Sequence, residues 1–170
     1  MGFWDLLTGK KYPAKGVPRQ PVSALRDSLL SINRDTAPYL VRDGALEGVD
    51  IVAEWKIVDA QWYEVFAKAG IERLFKVLMR FDETKAEVRA VDQEWSVEWR
   101  AGIPTMALIA QAFRGQTWEK SFGKEIGFRE DGSFGVIYEY SFNTDEIRKP
   151  LQKAALEAGW IWKGVAFAKL

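Results

Sequence analysis

The chain has 170 residues, 48% of them hydrophobic and 28% charged, with 24 cationic side chains balanced by 24 acidic ones. That is enough for one globular domain with its own core, and it leaves no electrostatic footprint for nucleic acid. Cysteine and histidine are both missing, which excludes disulfides, thiolate chemistry, the Ser-His-Asp and Cys-His arrangements and nearly all transition-metal sites.

No apolar run reaches membrane-spanning length, and no signal peptide precedes a small-residue cleavage site. Cytoplasmic residence is the default expectation, and neither a cofactor nor a bound metal is expected.

Residues 2–9 hold Phe3, Trp4, Leu6 and Leu7 around Asp5. Phe3 and Leu7 lie one helical turn apart, so this is a short apolar helix candidate. Gly2 begins a myristoylation pattern that fails at Leu6. Lys10 to Pro21 carries Pro13, Pro18, Pro21, Gly16 and four cations without an acid, the composition of an extended basic linker. Residues 1–21 thus read as an arm with an apolar tip, which either docks on a partner or an anionic membrane surface or folds back on its own domain.

The rest, 22–170, reads as one domain. Val22, Leu25, Leu29 and Ile32 fall at helical spacing after Pro21, with Asn33 to end the helix. Pro38 opens a strand over 39–42, Asp43-Gly44 a turn, and Val49, Ile51, Ala53, Trp55 and Ile57 alternate on the next strand. Asp59 caps a helix to Ala69 that turns Trp62 and Phe66 inward and stops at Gly70.

A long hairpin follows over 71–100, around the turn Asp82-Glu83-Thr84-Lys85. Phe75, Val77, Met79 and Phe81 alternate on the first strand. On the return strand Ala86, Val88 and Ala90 alternate, then the parity flips to Val91, Trp95, Val97 and Trp99. A change of face requires an extra residue, so a β-bulge is expected near Ala90-Val91. With Phe81 opposite Ala86, Arg80 faces Glu87 and, past the bulge, Lys76 faces Asp92.

Alternation at Met106, Leu108, Ala110 and Ala112 favours a strand over 106–119, although its alanines suit a helix. A strand over 121–130, a tight Asp131-Gly132-Ser133 turn and a strand from Phe134 to Phe142 come next. Asn143 with Glu146 forms a capping box for a helix whose stripe is Ile147, Leu151, Ala154 and Ala158. Pro150 should kink that helix or split off its first turn. Residues 160–170 close the sheet.

The fold class is therefore α+β: a curved, mostly antiparallel sheet with helices on one face, preceded by a short arm. Asp43-Gly44 recurs as Asp131-Gly132, Gly48-Val49 as Gly135-Val136, and Gly70 as Gly159, at near-constant spacing. The order strand, turn, strand, helix, Gly, strand fits two β-β-α-β copies; generic turn punctuation fits as well.

Eight tryptophans stand out. Glu54-Trp55, Glu94-Trp95 and Glu98-Trp99 each place an acid beside an indole on a strand. Glu94, Ser96, Glu98 and Arg100 then share one face and Trp95, Val97 and Trp99 the other. One reading is a ligand cleft walled by Trp55, Trp95 and Trp99, with carboxylates above it; the other is large core residues behind an ion-paired face. A glycoside hydrolase needs two carboxylates roughly 5–9 Å apart. Glu94 and Glu98 are about 13 Å apart at ~3.3 Å per residue, so they are not that pair alone.

The leading expectation is a non-catalytic protein-interaction module, self-association included, tethered through Phe3, Trp4 and Leu7. A small-molecule-binding domain and a carboxylate-based hydrolase are the alternatives.

Overall fold

The computed structural model describes residues 10–57, 62–68, 70–101, 103–111, 127–128, 134–139, 144–165 and 170. A seven-stranded open sheet with three helices forms one α+β domain. The sheet strands are β1 (Lys10–Lys11), β2 (Tyr39–Asp43), β3 (Ile51–Trp55), β4 (Arg73–Asp82), β5 (Glu87–Arg100), β6 (Ile103–Gln111) and β9 (Ile161–Gly164). The pair β7 (Gly127–Phe128) and β8 (Phe134–Glu139) forms a separate two-stranded ladder. The helices are α1 (Val22–Leu30), α2 (Tyr63–Lys68) and α3 (Thr144–Glu157).

The order across the main sheet is β1-β9-β5-β4-β3-β2. Strand β5 is long enough to divide one edge between two neighbours. Residues 87–90 pair with β9 in parallel, and residues 93–100 pair with β6 antiparallel. All other pairings in the main sheet are antiparallel.

The central hairpin exists, but its register differs from the expected one. Phe81 pairs with Val88, Arg80 with Arg89 and Lys76 with Gln93, in one uninterrupted ladder. The turn is Glu83–Ala86, a residue later than expected. Ala86 takes the left-handed conformation at φ 53°, and its carbonyl accepts the Ile161 N–H of β9 at 2.8 Å. A strand distant in sequence thus holds the end of the turn. The two facing arginines diverge: Arg80 reaches the Gly48 and Leu170 carbonyls, and Arg89 reaches Asp82 and Glu87.

No bulge interrupts β4 and β5 at Ala90-Val91. The parity flip arises because β5 is buried on both faces. Val88 and Ala90 face the main core, while Val91 packs with Val52, Leu78, Val49 and Leu170 in a second cluster. Val49 accordingly leaves the stripe expected for it with Ile51. A register shift does occur, four residues on, where β6 steps past β5 between Glu94 and Trp95.

The main core lies between one sheet face and the helices. Leu25 and Leu29 of α1, Phe66 of α2 and Ile147, Leu151, Ala155 and Ala158 of α3 meet Ile51, Ala53, Val77, Met79, Val88 and Ala90. Ala155 takes the fully buried place expected for Ala154, which packs at the margin. Helix α3 runs unbroken through Pro150, with no first turn split off. Gly70 ends α2 at φ 66°, as its role as a stop requires.

Asn33 does more than end α1. Its carboxamide donates to the Val41 carbonyl at 2.6 Å and accepts the Val41 N–H at 2.7 Å. Among the described residues β2 is the last strand of the sheet, so this side chain occupies part of an edge that could otherwise template another strand. Asn33→Ala is expected to cost about 1–2 kcal/mol, since a backbone donor and acceptor lose their partners, and to raise aggregation. Urea denaturation with light scattering checks both; an unchanged midpoint would mean that water replaces the carboxamide.

Residues 10–21 form no helix, but a turn at Lys15-Gly16, where the Val17 N–H donates to the Ala14 carbonyl at 3.2 Å, interrupts the expected extended course, and the segment is held against the domain at both ends. At one end β1 pairs with β9. At the other, the Gln20 N–H donates to the Ala158 carbonyl at 2.8 Å, and Trp160 Nε1 donates to the Gln20 carbonyl at 2.9 Å. Gly159, at φ 76°, lets the linker pass: a Cβ there would collide with the Pro18 carbonyl and lie 2.7 Å from Arg19 Cα.

The repeat suggested by the Asp-Gly spacing finds no support in the strand order. Strands β2, β3 and β4 are successive neighbours, whereas β9 pairs with β1 and β5, and β7 and β8 pair with each other apart from the main sheet. Strand 106–119 is confirmed as far as Gln111. The expected features at 1–9, 112–126, Asp59, Ala69, Asp131-Gly132-Ser133, Phe142 and Asn143 lie outside the described residues, as does most of the final strand beyond Val165. Among the described residues, no helix is long and apolar enough to cross a membrane.

Candidate functional site

The strand parity of β3 and β5 decides what the tryptophans can form together. Trp55 shares a face with Val77 and Met79, the helix side, through the β3–β4 register. It is 4% exposed, with its ring 6.1 Å from Tyr39 and 6.2 Å from Phe66 in edge-on contacts. Trp95 pairs with Leu74 on the other face. Trp99 is half-buried, and its Nε1 donates to the Ile71 carbonyl at 2.7 Å. Trp55 and Trp95 therefore do not wall a common cleft.

The acids separate likewise. Glu94 is ion-paired with Arg73 at 3.2 Å on the helix-side parity. Glu98 and Arg100 lie at the far end of β5, with side chains 71% and 83% exposed and 3.8 Å apart. An exposed pair of that kind contributes little to stability.

What the structure assembles instead, on the face away from the helices, is a polar chain across β2, β3, β4 and β5. Arg42 donates to Glu47 at 3.0 Å and to Glu54 at 3.0 Å. Glu54 also pairs with Lys76 at 2.9 Å, and the Lys76 ammonium lies 4.7 Å from the Trp95 ring centroid. Alternation dictates this: Arg42, Glu54, Lys76 and Trp95 all share the parity opposite the main core. Sequence reasoning placed Lys76 against Asp92 and missed Glu54 as its partner, because the order of β3 beside β4 is not written in either strand.

The chain of charges tunes its members. Burial alone would raise the Glu54 carboxyl, but hydrogen bonds from Arg42 and Lys76 and their positive charge outweigh it and hold the carboxyl below its ordinary 4.5. Hydrogen bonds from Arg42 hold Glu47 low against its own burial, and the same bonds push the Arg42 guanidinium up. These carboxylates are structural anions rather than proton donors near neutral pH.

Their pH dependence follows. The unfolded carboxyls begin to protonate near 4.5 while the folded ones resist, so the unfolded state takes up more protons and stability falls with pH through that window. Denaturation at about pH 6 and at steps below 4.5 should show that loss. Glu54→Gln should be about 1–2 kcal/mol less stable at the higher pH and lose less below it. Equal slopes in the two proteins would remove Glu54 from the account.

A second polar cluster secures the base of the N-terminal arm. Glu87, 3% exposed, is approached by Lys10 at 3.4 Å, Arg89 at 3.4 Å and Lys163 at 3.8 Å. Lys10 and Lys163 are directly opposed between β1 and β9, a repulsive pairing that Glu87 offsets. Nearby, the Arg19 guanidinium sits 4.7 Å over the Trp160 ring and donates to the Glu83 carbonyl.

Sequence reasoning also missed the buried pair of Asp92 on β5 and Arg148 on α3, 2% exposed each. The signal was present: Asp92 continues the parity of Val88 and Ala90, so it must point into the helix layer. Among the described residues, no group of three or more His, Cys, Asp or Glu side chains is placed to hold a metal ion. No protein-family model, curated protein or solved structure matches this chain.

Proposed function

We propose that the protein is a non-catalytic interaction module that binds a protein partner, in the simplest case a second copy of itself, through the apolar tip Phe3, Trp4 and Leu7. The observation that carries this reading is the clamping of residues 10–21. Lys10 is held by β9 and Glu87, and Arg19 and Gln20 by Trp160. The segment before Lys10 therefore starts from a fixed point at the sheet edge, and less orientational freedom is lost on docking. The ion-paired carboxylates and the Trp55 core describe a scaffold rather than a reaction centre.

The test is sedimentation equilibrium and cross-linking of the full chain, of a chain lacking residues 1–9, and of Phe3→Ser/Trp4→Ser/Leu7→Ser. Association is expected to weaken at least about tenfold in both variants, with the thermal midpoint unchanged because residues 10–21 stay in place. If both variants associate like the parent, or if the tip instead drives sedimentation with anionic phosphatidylserine vesicles, the protein-docking reading is overturned.

A further inference from the structure

Two strands stand end to end beside β5. Residues 87–90 are flanked by β9 and residues 93–100 by β6, both on the edge opposite β4. Strand β1 lies outside β9, with Lys11 at the level of Val88 and Lys10 at the level of Arg89. If β1 is continued backward, each residue before Lys10 moves one level further along β5. Leu7 then comes to the level of Asp92 and Phe3 to that of Ser96. There β6 already fills the place beside β5, with Leu108 opposite Trp95 and Ala107 opposite Ser96. A continued β1 therefore runs along the outer edge of β6, parallel to it. This course needs residues 3–9 as a strand rather than the short helix their spacing suggests.

The edge is suited to pairing. The Val97 N–H donates to the Glu72 carbonyl at 2.8 Å, so Val97 turns its main-chain groups toward β4 and away from Met106, its partner on β6. Alternation then points the Met106 and Leu108 N–H groups outward from β6. Among the described residues, no strand pairs with this edge. Pro104 guards one end of it, as an edge proline does. From Thr105 to Gln111 there is no charged residue and no further proline. Ile103 is 64% exposed, and Thr105 and Ala107 are exposed as well. An uncharged edge of this kind invites another strand.

We infer that the arm of the same chain covers this edge, residues 3–8 adding as a parallel strand outside β6. The occupant is the chain's own arm because β1 delivers it to this place without a bend, and because Phe3, Trp4, Leu6 and Leu7 suit an uncharged edge. The inference rests on the reading of the tip as the docking segment and adds a restraint to it. Docked on β6, the tip is withheld, and association is weakened by the fraction of chains in which it is held down. The contact is local and opens below the global transition, so it leaves the thermal midpoint unchanged.

The experiment is amide hydrogen exchange by NMR on the full chain and on the chain lacking residues 1–9. Each is measured below and above the association midpoint, with sedimentation run on the same samples. Below the midpoint, the Met106 and Leu108 amides should exchange at least about fivefold more slowly in the full chain, with Val77 equal in both as a control of the fold. Above it, that protection should fall as the dimer forms. Asp5→Pro/Leu6→Pro keeps Phe3, Trp4 and Leu7 but cannot pair as a strand, and should exchange like the shortened chain. Equal exchange in the full and shortened chains at low concentration, or full protection in the proline variant, would overturn the docking. Protection that appears only on concentration would give the edge to the arm of a second copy and overturn the contact within one chain. Protection unmoved by association would overturn the restraint. If the full chain never associates, the partner reading fails and the restraint with it, while the low-concentration comparison still decides where the arm lies.

Discussion

Arg148→Met is expected to destabilise the protein by about 3–5 kcal/mol, because it strands a buried carboxylate. Asp92 and Arg148 lie between β5 and α3, with side chains 0% and 3% exposed. Domains of this kind are stable by about 5–15 kcal/mol in all, so the single change removes a large share of the total. Asp92→Leu should be similarly costly, since it leaves the guanidinium buried. The double variant Asp92→Leu/Arg148→Met is expected to return to within about 1–2 kcal/mol of the parent, because the desolvation cost of both ions disappears with them. Urea denaturation of the four proteins checks this as a double-mutant cycle. If the two single costs simply add, the ions are not coupled and the pair has no special place in the core.

The second large effect belongs to Trp160. Its ring is fully buried, lies 6.2 Å from Phe81, and carries Arg19 above it, while its Nε1 holds the Gln20 carbonyl. Trp160→Ala is expected to cost about 3–5 kcal/mol through the cavity it opens. Trp160→Phe keeps an aromatic ring but removes the donor, and is expected to cost about 1–2 kcal/mol. Both changes should quicken proteolysis within residues 10–21, the alanine variant more, because it loses the ring under Arg19 as well as the bond to Gln20. Protection of the linker unchanged in the alanine variant would show that β1 alone holds it.

These expectations concern contacts between residues far apart in the chain, and such contacts were the least legible. The helix over 22–30 could be read because Val22, Leu25 and Leu29 repeat at its period. The hairpin could be read because Val77, Met79 and Phe81 alternate, and Gly70 as a stop because a positive φ favours glycine. The register of the hairpin could not, since the choice between Phe81–Ala86 and Phe81–Val88 rests on where β9 binds the Ala86 carbonyl. Trp55 and Trp95 part for a related reason: alternation tells which residues of one strand share a face, but not whether that face is shared with Trp55.

By itself the sequence determined the α+β class, the main strand and helix periods, the closed list of chemistries open to a chain without Cys or His, and the non-helical character of residues 10–21. The tertiary structure alone decided that β5 is covered on both faces, that Glu54 rather than Asp92 takes Lys76, and that Asp92 is buried against Arg148. Local periodicity arises from backbone geometry within a few residues. Partner choice is a global minimum over burial, hydrogen bonding and charge, and no single segment encodes it.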